Sequence, residues 1–167
     1  MNILMKSFDF LFYKSKYFIY SLGFFGEYIL ILITCALIYY HTFYFFFYFF
    51  FLSISIMINL TLKNIIKEPR PSHPVKFLDT DHFSKNSYGN PSGHTQLVFF
   101  SFMYAYLVIE KITKLFMFSI IICIITIYQR YAFRNHTLKQ LLYGAIVGLI
   151  LAYLSYSITT YIKNKMI

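Results

Sequence analysis

The stretch TFYFFFYFFFLSISIMINLTL, Thr42 to Leu62, carries no charged side chain and ends on the cations of KNIIKEPRP, Lys63 to Pro71. A helix of about 20 apolar residues spans the ~30 Å hydrocarbon core of a bilayer. The rest of the chain has the same character. Of its 167 residues, 59% are hydrophobic and 13% charged, and mean hydropathy is +0.60. A soluble domain of this size could not hide so much apolar surface, so the chain reads as a polytopic membrane protein.

Working outward, four more apolar blocks run from about Leu22 to Tyr40, Thr95 to Ile109, Leu115 to Phe133 and Gln140 to Ile162. The expected fold is all-α: a membrane helix bundle of about five transmembrane helices in a single domain, residues 1–167. An interfacial helix over residues 1–18 precedes it, with Lys6, Lys14 and Lys16 at the headgroups. The third and fourth blocks are short and reach spanning length only if their polar ends count. That is tolerable where those ends face a wet site. Only His41 marks the boundary between the first two blocks, and Glu27, near the entry of the first, reads as an interfacial carboxylate. The run FYFFFYFFF, Phe43 to Phe51, suits a lipid-facing helix. No small-residue cleavage site follows the N-terminal segment, so no removable signal peptide is expected. Cys35 and Cys123 fall inside apolar blocks and read as small core residues, with no disulfide framework or metal-ligand spacing.

Net charge is +9. Part of it flanks the membrane segments, as such helices require. The remainder gathers in KNIIKEPRP, in PSGH (Pro91 to His94) and in RYAFRNHTLKQ (Arg130 to Gln140). No soluble basic face exists, which excludes nucleic acid as a partner. One long loop, residues 64–93, holds all four prolines, and five crossings put this loop, Arg130 and His136 on the same side of the membrane. Cations and histidines gathered at a bilayer surface describe a site for an anionic headgroup.

Each stretch contributes a recognisable part. Lys63 offers a point charge and Arg70 a planar fork for two phosphate oxygens, while Pro69 and Pro71 end the helix and stiffen the chain around Arg70. Ser92 is a good N-cap, Gly93 lets backbone approach a ligand, and helix-start amides bind phosphate. His94 beside that anion is placed as a general acid, and His136 as a nucleophile attacking phosphorus, with Arg130 completing the clamp. For attack, His136 must hold one nitrogen neutral and forward. The carbonyl of Gln140, one helical turn on, is the expected acceptor for the other N–H, so Gln140→Asp is expected to be tolerated or beneficial.

The order K-x6-RP, PSGH, R-x5-H, over about residues 59 to 148, resembles the type 2 phosphatidic acid phosphatase superfamily of membrane lipid phosphatases. There the third motif usually ends in Asp four residues after its His, and a Ser usually precedes its Arg. Here those places hold Gln140 and Gln129. The dolichyldiphosphatase branch is similar in finer detail, including a Gln at the first place, through KNIIKEPRP, YGNPSGHTQ and HTLKQLLYGAIVG. Against that branch, Asn90 stands for Met and Gly93 for the usual Ser. The resemblance implies metal-independent cleavage of dolichyl diphosphate to dolichyl phosphate and inorganic phosphate, at a site facing the lumen of the endoplasmic reticulum. By the same carry-over Lys63, Arg70, Ser92, Gly93 and Arg130 hold phosphate, His94 is the acid and His136 the nucleophile.

The implied partner is a membrane lipid with a phosphate or diphosphate headgroup. No cofactor, metal or obligate protein partner is called for. Positive-inside counting points the other way on orientation, since all cations but Lys111, Lys114, Lys163 and Lys165 lie on the side of the motifs. Two alternatives accompany the leading reading: a phosphatase of phosphatidate or another lipid phosphomonoester, and a non-catalytic lipid-phosphate-binding protein, which Gln140 would favour. A channel has little support, because the second and fifth blocks offer no polar stripe.

Overall fold

The computed structural model describes residues 15–77 and 88–166. Residues 1–14 of the expected interfacial helix therefore lie outside the description, as does the middle of the long loop with Asp79, Asp81 and His82. The described residues form six helices and no strand: α1 (Ser15–Phe24), α2 (Gly26–Ile38), α3 (Thr42–Ile66), α4 (Gly93–Ile109), α5 (Lys114–Ala132) and α6 (Leu138–Met166). The apolar blocks reappear as α2 to α6. Helices α3, α5 and α6 are long and apolar enough to cross a bilayer singly, and α1 and α2 qualify as a pair.

The first block departs from the uninterrupted segment expected of it. It breaks at Phe25, where α1 and α2 meet at 67°. The cause is α5. A Cβ on Gly26 would run into the Thr126 hydroxyl, and one on Gly23 into Gln129 Cβ, so the two glycines let the bend lie directly on that helix. The FYFFFYFFF run is also more than a lipid-facing surface. Phe46, Phe49 and Phe50 are exposed, but Tyr44, Tyr48 and Phe51 turn inward. Tyr48 Oη bonds Ser101 Oγ at 2.7 Å, and Tyr104 Oη donates to the Tyr44 carbonyl at 3.0 Å. Aromatic residues with a polar tip can be buried when that tip finds a partner.

Helix α4 has 17 residues, or about 26 Å. It is the central helix, touching α2, α3, α5 and α6, so lipid need not match its length. Its closest neighbour is α6. Gly144 and Gly148, four apart on one face, let the two backbones meet: a Cβ at 144 would stand 2.5 Å from the Ser92 carbonyl, and one at 148 would strike the Gln96 carbonyl. On the other side, Gln96 donates to Ser55 O (2.7 Å) and Oγ (2.9 Å) of α3 and accepts from Asn59 Nδ2 at 2.8 Å. With no competing water in the bilayer, such a satisfied amide fixes the register of α3 against α4.

The helix ends follow from their sequences. Ser92 caps α4, its Oγ accepting from Thr95 N at 3.5 Å and Thr95 Oγ1 at 3.1 Å. Thr113 caps α5 through Phe116 N at 3.1 Å. Thr137 and Gln140 form a reciprocal capping box at α6: Gln140 N donates to Thr137 Oγ1, and Thr137 N to Gln140 Oε1, both at 3.2 Å. α3 stops before Pro69, with Lys67 left-handed at φ 52° and its N–H returned to Lys63 O.

Candidate active site

These ends, α3's last turn and the starts of α4 and α6, meet around one cleft of about 410 Å³. Lys63 and Asn59 line it from α3, Arg70 from the following loop, Gly93 and His94 from the start of α4, and His136 from the turn before α6. Two cations, two imidazoles and a helix N-terminus thus share one cavity. The amides of Gly93 and His94 meet no acceptor among the described residues, which leaves them for an anion. Lys63 Nζ reaches the Tyr88 carbonyl at 3.3 Å.

His136 is 2% exposed, and its two nitrogens face opposite kinds of partner. Nδ1 lies 2.9 Å from the Gly89 carbonyl, which can only accept, and Nε2 lies 3.2 Å from Arg70 Nη1, which can only donate. Assigned from these partners, the ring is the Nδ1–H tautomer with its lone pair on Nε2. Arg70 Nη1 also donates to the Asn135 carbonyl at 3.1 Å. Burial first, then the charges of Arg70, Lys63 and Arg130, holds the His136 pKa well below the ordinary histidine value, against the opposing Gly89 hydrogen bond. Both the hydrogen-bond partners and the lowered pKa favour the neutral ring.

His94 is one-third exposed and its Nε2 lies 3.5 Å from Glu27 Oε1. Glu27 is therefore not the interfacial carboxylate expected of it. The bend at Phe25 carries it inward to the cleft's edge.

Three residues expected in the site do not line the cleft: Ser92 and Arg130, expected at the phosphate, and Gln140, expected to accept from His136. Ser92 is fully buried as the α4 cap, and its N–H donates to the Gln140 carbonyl at 3.0 Å. Arg130 is 2% exposed, lies over the Phe24 ring (5.0 Å to its centroid) and donates to the Phe24 carbonyl at 3.2 Å. It reaches the histidines through its field rather than by lining the cavity. Gln140 does not accept from His136. Its Oε1 serves the capping box, and its Nε2 donates to Pro69 O (2.8 Å) and Glu68 Oε1 (3.1 Å). The Gly89 carbonyl takes the place expected of it.

Sequence reading passed over Asn59, Gln96, Glu68 and Gly89. The capping-box pattern Thr137-x-x-Gln140 was the available signal for Gln140's true partners. Nothing local in the sequence ties Glu68 or Gly89 to His136.

A membrane helix bundle whose helix ends gather two cations and two histidines around one cleft has the chemistry to meet an anionic group at the bilayer surface. The chain belongs to the PAP2 superfamily, whose sequence model matches residues 44–164. In fold it is similar to a PAP2-type transmembrane phosphatidylglycerolphosphate phosphatase from Bacillus subtilis, with a TM-score of 0.65 at 19% identity, over 86% of this chain and 74% of that one. With its apolar helices, this likeness makes the chain a multi-pass membrane protein. No curated protein matches its sequence.

Proposed function

We propose that this chain is a lipid phosphate phosphatase working through a phosphohistidine, and that its substrate is a polyprenyl diphosphate of the dolichyl type in the endoplasmic reticulum membrane. The observation that carries the chemistry is the pairing of His136 and His94 in one cleft with Lys63 and Arg70. The resemblance of KNIIKEPRP and HTLKQLLYGAIVG to dolichyldiphosphatases carries the substrate.

In the first step the lone pair on His136 Nε2 attacks the terminal phosphorus as the bond to the bridging oxygen breaks. Protonated His94 gives its proton to that oxygen, and polyprenyl phosphate leaves. Glu27 supplies the countercharge that a protonated His94 needs. In the second step neutral His94 takes a proton from water as the water oxygen attacks phosphorus. The P–N bond breaks, inorganic phosphate leaves and His94 is again protonated. Lys63, Arg70 and the amides of Gly93 and His94 meet the charge on the phosphoryl oxygens. Arg70 must turn from Nε2 toward the phosphate when substrate arrives, which uncovers the nucleophile as the anion binds. An apolar recess of about 200 Å³ opens beside His94, between Ile56, Leu60 and Leu97, and suits the lipid portion of the leaving group. The Gly89 carbonyl fixes the nucleophile's tautomer, so Gln140 does not count against catalysis.

The test is phosphate release by purified protein from dolichyl diphosphate, phosphatidate and phosphatidylglycerol phosphate in detergent. The diphosphate should be turned over fastest, and His136→Ala should be inert. Preference for a monoester would replace the substrate but keep the mechanism. No release from any of the three would leave a phosphate-binding protein.

A further inference from the structure

We infer that Glu68, acting with Gln140 and Asn90, is a positioning residue that aims the Gly89 carbonyl at His136 and so stands in for a carboxylate on the ring. The inference rests on His136 being the nucleophile. Glu68 ties three segments together. Its Oε2 accepts from Asn90 Nδ2 at 2.8 Å and from Lys139 Nζ at 3.3 Å, and its Oε1 from Gln140 Nε2 at 3.1 Å. Its own carbonyl accepts from Gly89 N at 2.8 Å. Gln140 closes the other side, donating from Nε2 to Pro69 O and accepting from Ser92 N on its carbonyl. The run Gly89 to Ser92 is therefore fastened before and after the one carbonyl that meets His136 Nδ1.

The packing at Gly89 argues that this is more than a loop tie. A Cβ there would stand 2.5 Å from Gln140 Oε1 and 2.8 Å from both Cδ and Nε2. The Gln140 amide cannot yield freely, because its oxygen serves the capping box and its nitrogen two acceptors. Only glycine lets the backbone at residue 89 pack so close to this amide while its carbonyl meets His136. The ordinary alternative, a surface ion pair between Glu68 and Lys139, would contribute little and would need neither the buried Gln140 nor a glycine. The Asn90 bond, first, and those from Gln140 and Lys139 also hold the Glu68 carboxyl below its usual range, against an opposing cost of burial.

The arrangement makes Gln140 unsuited to replacement by a carboxylate. An Asp there would face the Glu68 carboxylate and the Pro69 carbonyl with acceptors only, so Gln140→Asp lowers activity, reversing the expectation from sequence.

The experiment pairs steady-state kinetics with 15N-histidine NMR of the full chain in nanodiscs, and thermal unfolding of the same samples controls for folding. Glu68→Ala, and more mildly Glu68→Gln, should lower kcat about 10- to 100-fold with KM changed less than about twofold, as loss of a supporting partner does elsewhere. Glu68→Ala with Gln140→Ala should be no worse than the poorer single variant, because both act through one clamp. The His136 signal should be the Nδ1–H tautomer in wild type and a mixture in the variants. Active wild type with unchanged kcat and tautomer in Glu68→Ala overturns the inference and leaves the phosphatase reading intact. Inert wild type whose tautomer still shifts in Glu68→Ala overturns the phosphatase reading and leaves the positioning intact.

Discussion

At His136 the Gly89 carbonyl accepts from Nδ1 and the Arg70 guanidinium meets Nε2, which sets the tautomer that the proposed attack needs, with Arg70 covering the lone pair until an anion draws it away. Because Nε2 must be unprotonated to attack and its pKa is held down, the acid limb of kcat/KM should lie below pH ~6.5, the ordinary histidine value. Arg70→Ala removes a nearby positive charge, so the ring takes a proton more readily and the limb should move to higher pH. KM should rise tenfold or more, since a charge-assisted hydrogen bond contributes about 1.5–3 kcal/mol. A pH–rate profile of the two proteins checks both, and a limb moving to lower pH would refute the electrostatic reading. Glu27→Gln keeps the shape beside His94 but removes the countercharge. It should lower kcat about tenfold or more while KM changes little, and undiminished kcat would make Glu27 a mere packing residue. At this scale the sequence disclosed the residues with spaced motifs, Lys63, Arg70, His94 and His136. It hid those that act through backbone or from another helix. Glu27 lies outside the three stretches and before the matched family region, and a carbonyl such as that of Gly89 has no side-chain signature.

Among the helices, the pairing of α4 with α6 does most to build the site, because it brings PSGH against the start of the helix that follows His136. Gly148→Ala should press on the Gln96 carbonyl and the Phe100 amide, a few ångströms from the amide network that registers α3. Overpacking of this kind costs about 1–3 kcal/mol. The expected result is a lower Tm in detergent with activity lost in parallel, and an unchanged Tm would mean that α4 and α6 part easily. Block boundaries were legible, since the onset of charge and proline stops a membrane helix. The break at Phe25 was not, because it answers to Thr126 and Gln129 on a helix about a hundred residues away. Nor was the inward face of α3, because residues 43–51 are all Phe or Tyr and every face of the helix there carries aromatic rings. The pair Gly144-x3-Gly148 stands in the sequence, but nothing there names its partner helix.

For the whole molecule, the path of the chain explains how stretches as distant as Lys63 and His136 share one cleft. The five crossings expected from sequence, counting the short α4 as one, would put the α4–α5 turn on the far side of the bilayer from residues 72–76. Single cysteines introduced at Lys111 and at Ser72, in a chain lacking Cys35 and Cys123, should be labelled by an impermeant reagent from opposite faces. Labelling from one face would break the topology. Chelation is a second test at this scale. In the proposed mechanism Lys63, Arg70 and helix amides meet the phosphoryl charge, so EDTA should leave the rate unchanged, and a loss restored by added Mg²⁺ would contradict the histidine mechanism. The most direct measurement is a rapid quench with dolichyl diphosphate labelled in its terminal phosphate, followed by location of the label. An acid-labile, base-stable phosphate on His136, formed and consumed at rates that support turnover and absent from His136→Ala, is the expected result. Turnover with no such adduct, or with the label on any other residue, would show that this imidazole is not the group that attacks phosphorus.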